Sequence, residues 1–148
     1  MTYHPTLGPL SHVGIATQDL AAAISRWRQI APDLLVGERI PVAEQGVEVV
    51  FLDFASHPGH SRLELLTDIS AGGRISQFIA TRGEGIHHLC FTCADIRAEL
   101  ARLKKAGFRL IDETPRIGAL GKPIAFIHPL TAGGVLLELE EESGAAAS

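Results

Sequence analysis

Two histidines and two glutamates occupy matching places in the two halves of the sequence. The stretch LSHVGIATQDLAAAISRW aligns with IHHLCFTCADIRAELARL in the second half, and the alignment pairs His12 with His88. Further along each half, RLELL aligns with LLELE and pairs Glu64 with Glu138. Two imidazoles and two carboxylates form a mixed nitrogen and oxygen ligand set that suits Co²⁺, Ni²⁺, Mn²⁺, Fe²⁺ or Zn²⁺. The repeat therefore predicts a divalent metal site, in which an octahedral ion would keep two positions open for substrate or water.

The other histidines and the two cysteines are not predicted as ligands. His87 alternates with His88 along one strand, so it should face the opposite, helix-covered side as a partly buried residue. Cys90 and Cys93 lie three positions apart on the same strand and face opposite sides, which argues against a redox pair or a zinc knuckle. The remaining histidines have no counterpart in the other half: His4, His57, His60 and His128.

Strands must hold the four predicted ligands on one surface, and the residue pattern predicts such strands. In Ser11–Thr17, Val13 and Ile15 alternate with His12, so the apolar side chains should face a helix and the histidine should face away. The same alternation separates Leu63 and Leu65 from the glutamate between them. Further strands are predicted at Val47–Phe54, Arg62–Thr67, residues 87–93, Phe108–Ile111, Pro123–His128 and Val135–Glu140.

Each half also contains one helix with recognisable ends. Asp19 and Asp95 are good N-cap residues, and apolar residues follow each of them at helical spacing. Pro32 should stop the first of these helices, and Gly107 suits the position just after the second. A third helix is predicted at Arg74–Arg82, between the halves.

These elements predict an α+β fold built from two tandem βαβββ modules, which form a curved mixed sheet around a central metal site. The domain should span residues 8–142, with module 1 at about 8–70, the linking helix at about 74–82 and module 2 at about 84–142. Residues 143–148 are expected to be a flexible tail.

The composition is typical of one soluble globular domain. The chain has 148 residues, of which 46% are hydrophobic and 20% charged, and its formal net charge is −4. A net acidic chain argues against a nucleic-acid or anionic-membrane partner. The N-terminal stretch MTYHPTLGPL lacks the pattern of a secretory signal, and no apolar run is long enough for a membrane span. We therefore expect a cytoplasmic protein.

The duplicated His and Glu positions resemble those of the vicinal oxygen chelate superfamily, which groups glyoxalases, bleomycin resistance proteins and dioxygenases. More narrowly, residues 8–141 are similar to methylmalonyl-CoA epimerases in the stretches LSHVGIATQDL, EQGVEVVFLDF, RLELL, RGEGIHHLCF and KPIAFIHPLTAGGVLLEL. The resemblance implies a metal-dependent enzyme that interconverts (R)- and (S)-methylmalonyl-CoA by removing the α-proton to give a metal-stabilised enolate. It also implies Co²⁺ as the favoured ion and a homodimer as the assembly.

The resemblance assigns roles to five residues of this sequence. His12, Glu64, His88 and Glu138 fall on the metal-ligand positions, although the second of these positions is often Gln in the family. Glu44, within AEQGV, falls on the position of a catalytic glutamate. Glu138 is implied as the second acid or base while it remains a ligand. From the residues alone, Glu44 reads as a solvated carboxylate in a turn before a strand.

An acyl-CoA substrate carries phosphates, so basic side chains near the loops should receive it. Lys122, Arg116 and Arg82 are the candidates by position, although from the residues alone an ordinary solvated charge is the favoured interpretation of each. The loop GALGK before KPIAFIHP contains Ala119 and Leu120 where the family is richer in glycine, which bears on acyl-group specificity.

Other functions fit parts of the same pattern. A glyoxalase-type lyase acting on a glutathione hemithioacetal would use the same metal site, and a related acyl-CoA epimerase would use the same chemistry. A non-catalytic protein that binds a small ligand has no need for four ligands together with Glu44. An extradiol dioxygenase is disfavoured, since such enzymes use two histidines and one carboxylate.

Overall fold

The computed structural model of the chain describes residues 7–142. These residues form two compact units, which we call the first unit (His12–His87) and the second unit (His88 onwards, together with the residues before His12). None of the described helices combines the length and the apolar character needed to cross a membrane. The predicted tail at 143–148 and His4 lie outside the described residues.

The first unit contains a mixed sheet with two helices. Its elements are β1 (Leu10–Ala16, of which the first two residues belong to the second unit), α1 (Leu20–Ile30), β2 (Leu35–Val36), β3 (Ile40–Val42), β4 (Val47–Asp53), β5 (Arg62–Asp68) and α2 (Arg74–Arg82). The strand order is β2-β4-β5-β1, with β3 also paired to β4. β1 runs parallel to β5, whereas the other pairs are antiparallel.

The second unit has the same order of strands, with one strand at the edge where two strands of the first unit pair with β4. Its elements are β6 (Gly85–Cys93, of which the first three residues belong to the first unit), α3 (Ile96–Lys105), β7 (Arg116–Ile117), β8 (Pro123–Ile127) and β9 (Leu137–Glu141). The strand order is β6-β9-β8-β7, and β6 and β9 are again the parallel pair. Two units with the same order of strands confirm the predicted α+β fold of paired βαβββ modules.

Both predicted N-caps are present. The Asp19 side chain accepts a hydrogen bond from the Ala22 N–H at 3.1 Å, and the Asp95 side chain accepts one from the Ala98 N–H at the same distance. Each bond satisfies a backbone donor that has no partner within the helix, which is worth about 1 kcal/mol. At the other end of α3, Gly107 has a φ of 95°, a left-handed conformation that favours glycine.

Each unit has its own hydrophobic core on the helix-covered face of its strands. In the first unit, Leu20 and Ala23 of α1 pack with Leu65, and Ile15 and Leu63 lie against this cluster. The core of the second unit consists of Cys93, Ile96, Leu100, Ala125, Ile127 and Leu139. Because alternate residues of a strand point to opposite faces, burying these apolar side chains turns the intervening polar residues to the other face.

Two details of the second unit were predicted wrongly. Phe108–Ile111 is not a strand: Leu110 makes one isolated bridge to Ile127, and the strand of this region is β7. Phe108 and Leu110 pack against the core from an irregular segment. Their apolar side chains are therefore partly buried without backbone pairing to a neighbouring strand along the whole segment. The last strand begins at Leu137 because Gly133 and Gly134 form a turn with positive φ, which leaves Val135 outside it and 38% exposed.

Candidate metal centre

The first unit holds one imidazole and one carboxylate side by side. His12 lies on β1 and Glu64 lies on β5, and the two strands are parallel neighbours. His12 Nε2 is 3.7 Å from Glu64 Oε2. The residue directly beside Glu64 on β1 is Gly14, which has no side chain to occupy the space between them. The side chains are therefore close because the strand register places them on one face.

The second unit repeats this pair. His88 lies on β6, Glu138 lies on the parallel strand β9, and His88 Nε2 is 3.2 Å from Glu138 Oε1. Here the residue directly beside Glu138 is Cys90, at the position that Gly14 occupies in the first unit. The predicted pairing of one His with one Glu in each half is thus present as a contact within each unit.

The geometry and burial of each pair suit a metal ion. His12 and His88 are 1% and 2% exposed, and Glu64 and Glu138 are 7% and 6% exposed. Carboxylates are rarely buried unless they are paired or coordinate a metal. Two adjacent ligands at ~2.1 Å from an octahedral ion lie ~3.0 Å apart. The 3.2 Å separation in the second unit is close to this value, and the 3.7 Å separation in the first unit is longer. The donor set of imidazole nitrogen and carboxylate oxygen fits a divalent transition-metal ion.

His87, which was not predicted as a ligand, packs against a helix. It is half-buried, and its ring meets the ring of Phe78 on α2 edge to face, with the centroids 4.9 Å apart. This contact confirms that His87 faces the helix-covered side. Cys90 and Cys93 are both free and buried, so they form no disulfide with each other. Burial raises the pKa of the Cys93 thiol to about 12, and the nearby carboxylate of Glu99 adds to the shift.

Glu44 lies in a short 3₁₀ helix, Ala43–Gln45, between β3 and β4 of the first unit. Its side chain is exposed, and Gly46 after it has a φ of 69°, which turns the chain into β4. This position matches the solvated turn carboxylate expected from the residues alone. Its catalytic role stays a prediction.

The three predicted basic residues have different surroundings. Lys122 is half-buried, and its Nζ is 3.9 Å from Glu140 Oε1. Arg116 is also half-buried, and its Nε is 3.3 Å from Asp112 Oδ1. Arg82 is exposed at the end of α2, with its guanidinium 5.7 Å from the centre of the Phe78 ring. Their contact with an acyl-CoA group stays a prediction.

Sequence analysis missed two polar residues on the ligand-bearing face. Cys90 is a possible metal-binding side chain, and alternation already placed it on the same face as His88. It was considered only as half of a cysteine pair. Glu140 follows Glu138 at the next position on that face, is buried, and accepts a hydrogen bond from Ser11 Oγ at 3.3 Å. No repeat signal could identify it, because the matching residue of the first half is Leu66.

Comparison with known proteins identifies relatives of the chain in sequence and in fold. The family model of the glyoxalase/bleomycin resistance protein/dioxygenase superfamily matches residues 11–126. The mitochondrial methylmalonyl-CoA epimerase of Homo sapiens is 39% identical over 136 residues, which cover 91% of this chain and 74% of the human protein. The ethylmalonyl-CoA/methylmalonyl-CoA epimerase of Cereibacter sphaeroides is 38% identical over 91% of this chain and 98% of that protein.

The fold agrees with these sequence relationships. A variant of Streptomyces coelicolor methylmalonyl-CoA epimerase, solved in complex with 2-nitronate-propionyl-CoA, matches with a TM-score of 0.84 at 33% identity. The match covers 94% of this chain and all of the other. The two βαβββ units therefore have the glyoxalase-like fold.

Proposed function

The chain belongs to the glyoxalase/bleomycin resistance protein/dioxygenase superfamily and, within it, to the methylmalonyl-CoA epimerase family, and we propose that it interconverts (R)- and (S)-methylmalonyl-CoA. The observation that carries this proposal is the buried His–Glu pair repeated in each unit. An epimerase must break a weakly acidic C–H bond. A bound cation is one way to stabilise the negative charge that then develops on the substrate.

In this proposal, His12 and Glu64 of the first unit and His88 and Glu138 of the second unit hold one divalent cation together. Two carboxylates and two neutral imidazoles would balance its charge, and Co²⁺ is the ion we favour. When bound, such an ion supplies Lewis-acid stabilisation of charge on the thioester oxygen and orients the acyl group. Support comes from the burial of all four side chains and from the family relationship.

Epimerisation also needs groups that remove a proton from one face of the α-carbon and return one to the other face. We assign the first role to the Glu44 carboxylate, which is exposed and free to meet a substrate. We assign the second role to Glu138. For this, Glu138 takes up a proton from solvent before it gives one to the α-carbon, and Glu44 releases to solvent the proton that it has removed. The reaction therefore consumes no proton overall.

Hydrogen exchange at the α-carbon tests the proposal directly. We expect the purified protein, incubated with methylmalonyl-CoA in D₂O, to introduce deuterium at C2, and a chelator to stop the exchange until metal is restored. Exchange that the chelator leaves unchanged would contradict the metal dependence. No exchange with any divalent ion would contradict the epimerase activity itself.

The substrate could also carry a larger acyl group. The relative from C. sphaeroides is named for both ethylmalonyl-CoA and methylmalonyl-CoA. We therefore propose ethylmalonyl-CoA as a second substrate, and the two compounds should be compared in the same exchange experiment. A glutathione hemithioacetal belongs there as well, since its conversion would favour the glyoxalase-type lyase instead.

A further inference from the structure

An aromatic ring contacts the histidine of the first His–Glu pair. The rings of His12 and Phe51 meet edge to face, with their centroids 5.5 Å apart and their planes at 81°. The guanidinium carbon of Arg62 lies 4.4 Å from the centre of the Phe51 ring. The face of an aromatic ring is electron-rich, so a guanidinium over it is attracted. Phe51 therefore contacts both the Arg62 guanidinium and the His12 imidazole.

The second unit contains the same arrangement. The rings of His88 and Phe126 meet edge to face at 5.7 Å and 87°, and the guanidinium carbon of Arg116 lies 5.8 Å from the Phe126 centroid. Each stack therefore consists of an arginine, a phenylalanine and the histidine predicted to bind metal. We call them the Arg62 stack and the Arg116 stack.

An aspartate fixes each guanidinium. Arg62 donates through Nε to Asp53 Oδ1 at 2.9 Å and through Nη2 to Asp53 Oδ2 at 3.1 Å. Such a two-point contact restricts the guanidinium strongly. In the second unit, Asp112 accepts a hydrogen bond from the Phe126 N–H at 2.8 Å, and its other oxygen is 3.3 Å from Arg116 Nε. That Nε is buried and makes no hydrogen bond of good geometry to the described residues. The Arg62 stack is therefore the more tightly held of the two.

Duplication explains the phenylalanines but not the arginines. Phe51 and Phe126 are equivalent, because each lies directly beside the glutamate of its pair on the neighbouring strand. Arg62 is on β5, where the aligned residue of the second half is Leu136. Arg116 is on β7, opposite Ile124 of β8, and the matching place in the first unit is occupied by Ile40, opposite Val49 of β4.

An arginine guanidinium therefore lies near the equivalent phenylalanine ring in each unit, although the two arginines come from strands that are not equivalent. We infer that the two stacks position the metal ligands, by fixing the direction in which His12 and His88 point their Nε2 atoms. The edge-to-face contact resists rotation of each imidazole, and the arginine holds the phenylalanine that makes the contact. This inference rests on the metal site of the proposed function. It makes Arg62 and Arg116 positioning residues, which act on the metal site through the phenylalanine and the histidine of their stack.

The test replaces each arginine by methionine, which keeps an unbranched apolar chain over the ring and removes the cation. Loss of residues that orient a metal-binding histidine typically costs 10–100-fold in metal affinity. We expect Arg62→Met to raise the Co²⁺ dissociation constant about 10-fold, the lower end of that range, and Arg116→Met to raise it less. Because Arg62→Met removes the cation bound to Asp53 and leaves this carboxylate, among the described residues, only the Gly59 N–H, the double variant Arg62→Met with Asp53→Asn should be measured beside it.

Arg39→Met is the matched control, since Arg39 is ion-paired to Glu48 at 3.3 Å and is exposed. Equal Co²⁺ affinity in all of these variants would overturn the inference, even if the stack variants are less stable to heat. NMR relaxation of the His12 ring in the metal-free protein gives a second measurement. We expect Arg62→Met to increase the motion of this ring. Unchanged motion would also overturn the inference.

The same measurements on wild-type protein distinguish failure of this inference from failure of the proposed function. Wild-type protein that binds no Co²⁺ would contradict the proposed metal site. Wild-type protein that binds Co²⁺ without catalysing exchange would contradict the epimerase activity.

Discussion

Individual side chains divide the proposed chemistry between metal binding and proton transfer. The four His and Glu residues are buried and lie in one pair within each unit, whereas Glu44 is an exposed carboxylate that leads into β4. An exposed carboxylate can meet a substrate without first giving up a structural contact. The two functions should therefore be separable by substitution.

Glu44→Gln tests this separation. We expect the variant to bind Co²⁺ as the wild type does and to lose about 10²–10⁴-fold in kcat, the usual contribution of a general base. Glu38→Gln is a suitable control, because Glu38 is an exposed carboxylate of the same unit. Full activity of Glu44→Gln would remove this residue from the mechanism.

At the scale of the elements, one aspartate connects β5 to the start of α2. Asp68 accepts hydrogen bonds from the Ile75 N–H at 3.1 Å and from the Ser76 N–H at 2.7 Å. Ser76 Oγ donates a third, at 2.6 Å. Burial alone would raise the pKa of Asp68, but these hydrogen bonds and one from Gly73 together hold it below its usual value of 3.8. The ionised form therefore stabilises the folded state.

Asp68→Asn should lower stability in a pH-dependent way. A depressed folded pKa adds stability above the ordinary pKa, and this stability is lost as the pH falls through the folded value. We expect the variant to be about 1 kcal/mol less stable than wild type at neutral pH, and the difference to shrink as the pH falls below 3.8 and through the lower folded pKa. Urea unfolding over a series of pH values from neutral to below 3.8 measures it, with Asp33→Asn, at an exposed position, as control. A difference that does not change with pH would contradict this role of the charge.

Local signals in the sequence predicted some elements better than others. α1 begins after the Asp19 cap, and α2 has the predicted bounds Arg74–Arg82, because caps and helical spacing act within a few residues. Phe108–Ile111 was predicted wrongly, since an apolar run that fills a core looks the same whether or not it joins a sheet. Strand pairing is decided by distant residues, which no local pattern records.

The same distinction explains which parts of the site were predicted. His12 and His88 were found because duplication placed them at aligned positions. The Arg62 and Arg116 stacks were not, because the two arginines come from strands that are not equivalent and meet their rings only in the folded units. Cys90 could have been noticed from alternation alone, as it follows His88 on the same face.

At the scale of the whole molecule, duplication provides two copies of a small unit, each with its own core and its own His–Glu pair. One pair offers only two protein ligands, fewer than a transition metal usually takes from a protein. A chain that uses both pairs for one ion would need both units intact to bind it. This dependence makes metal stoichiometry informative about the whole fold.

The number of divalent ions bound per chain tests the central claim most directly. Equilibrium dialysis against Co²⁺ should find one ion per chain in the wild type, and His12→Ala and His88→Ala should each lose that same ion, although they lie in different units. His87→Ala, the adjacent control, should keep it. Two ions per chain in the wild type, or one ion that persists in either ligand variant, would contradict a site shared by the two pairs.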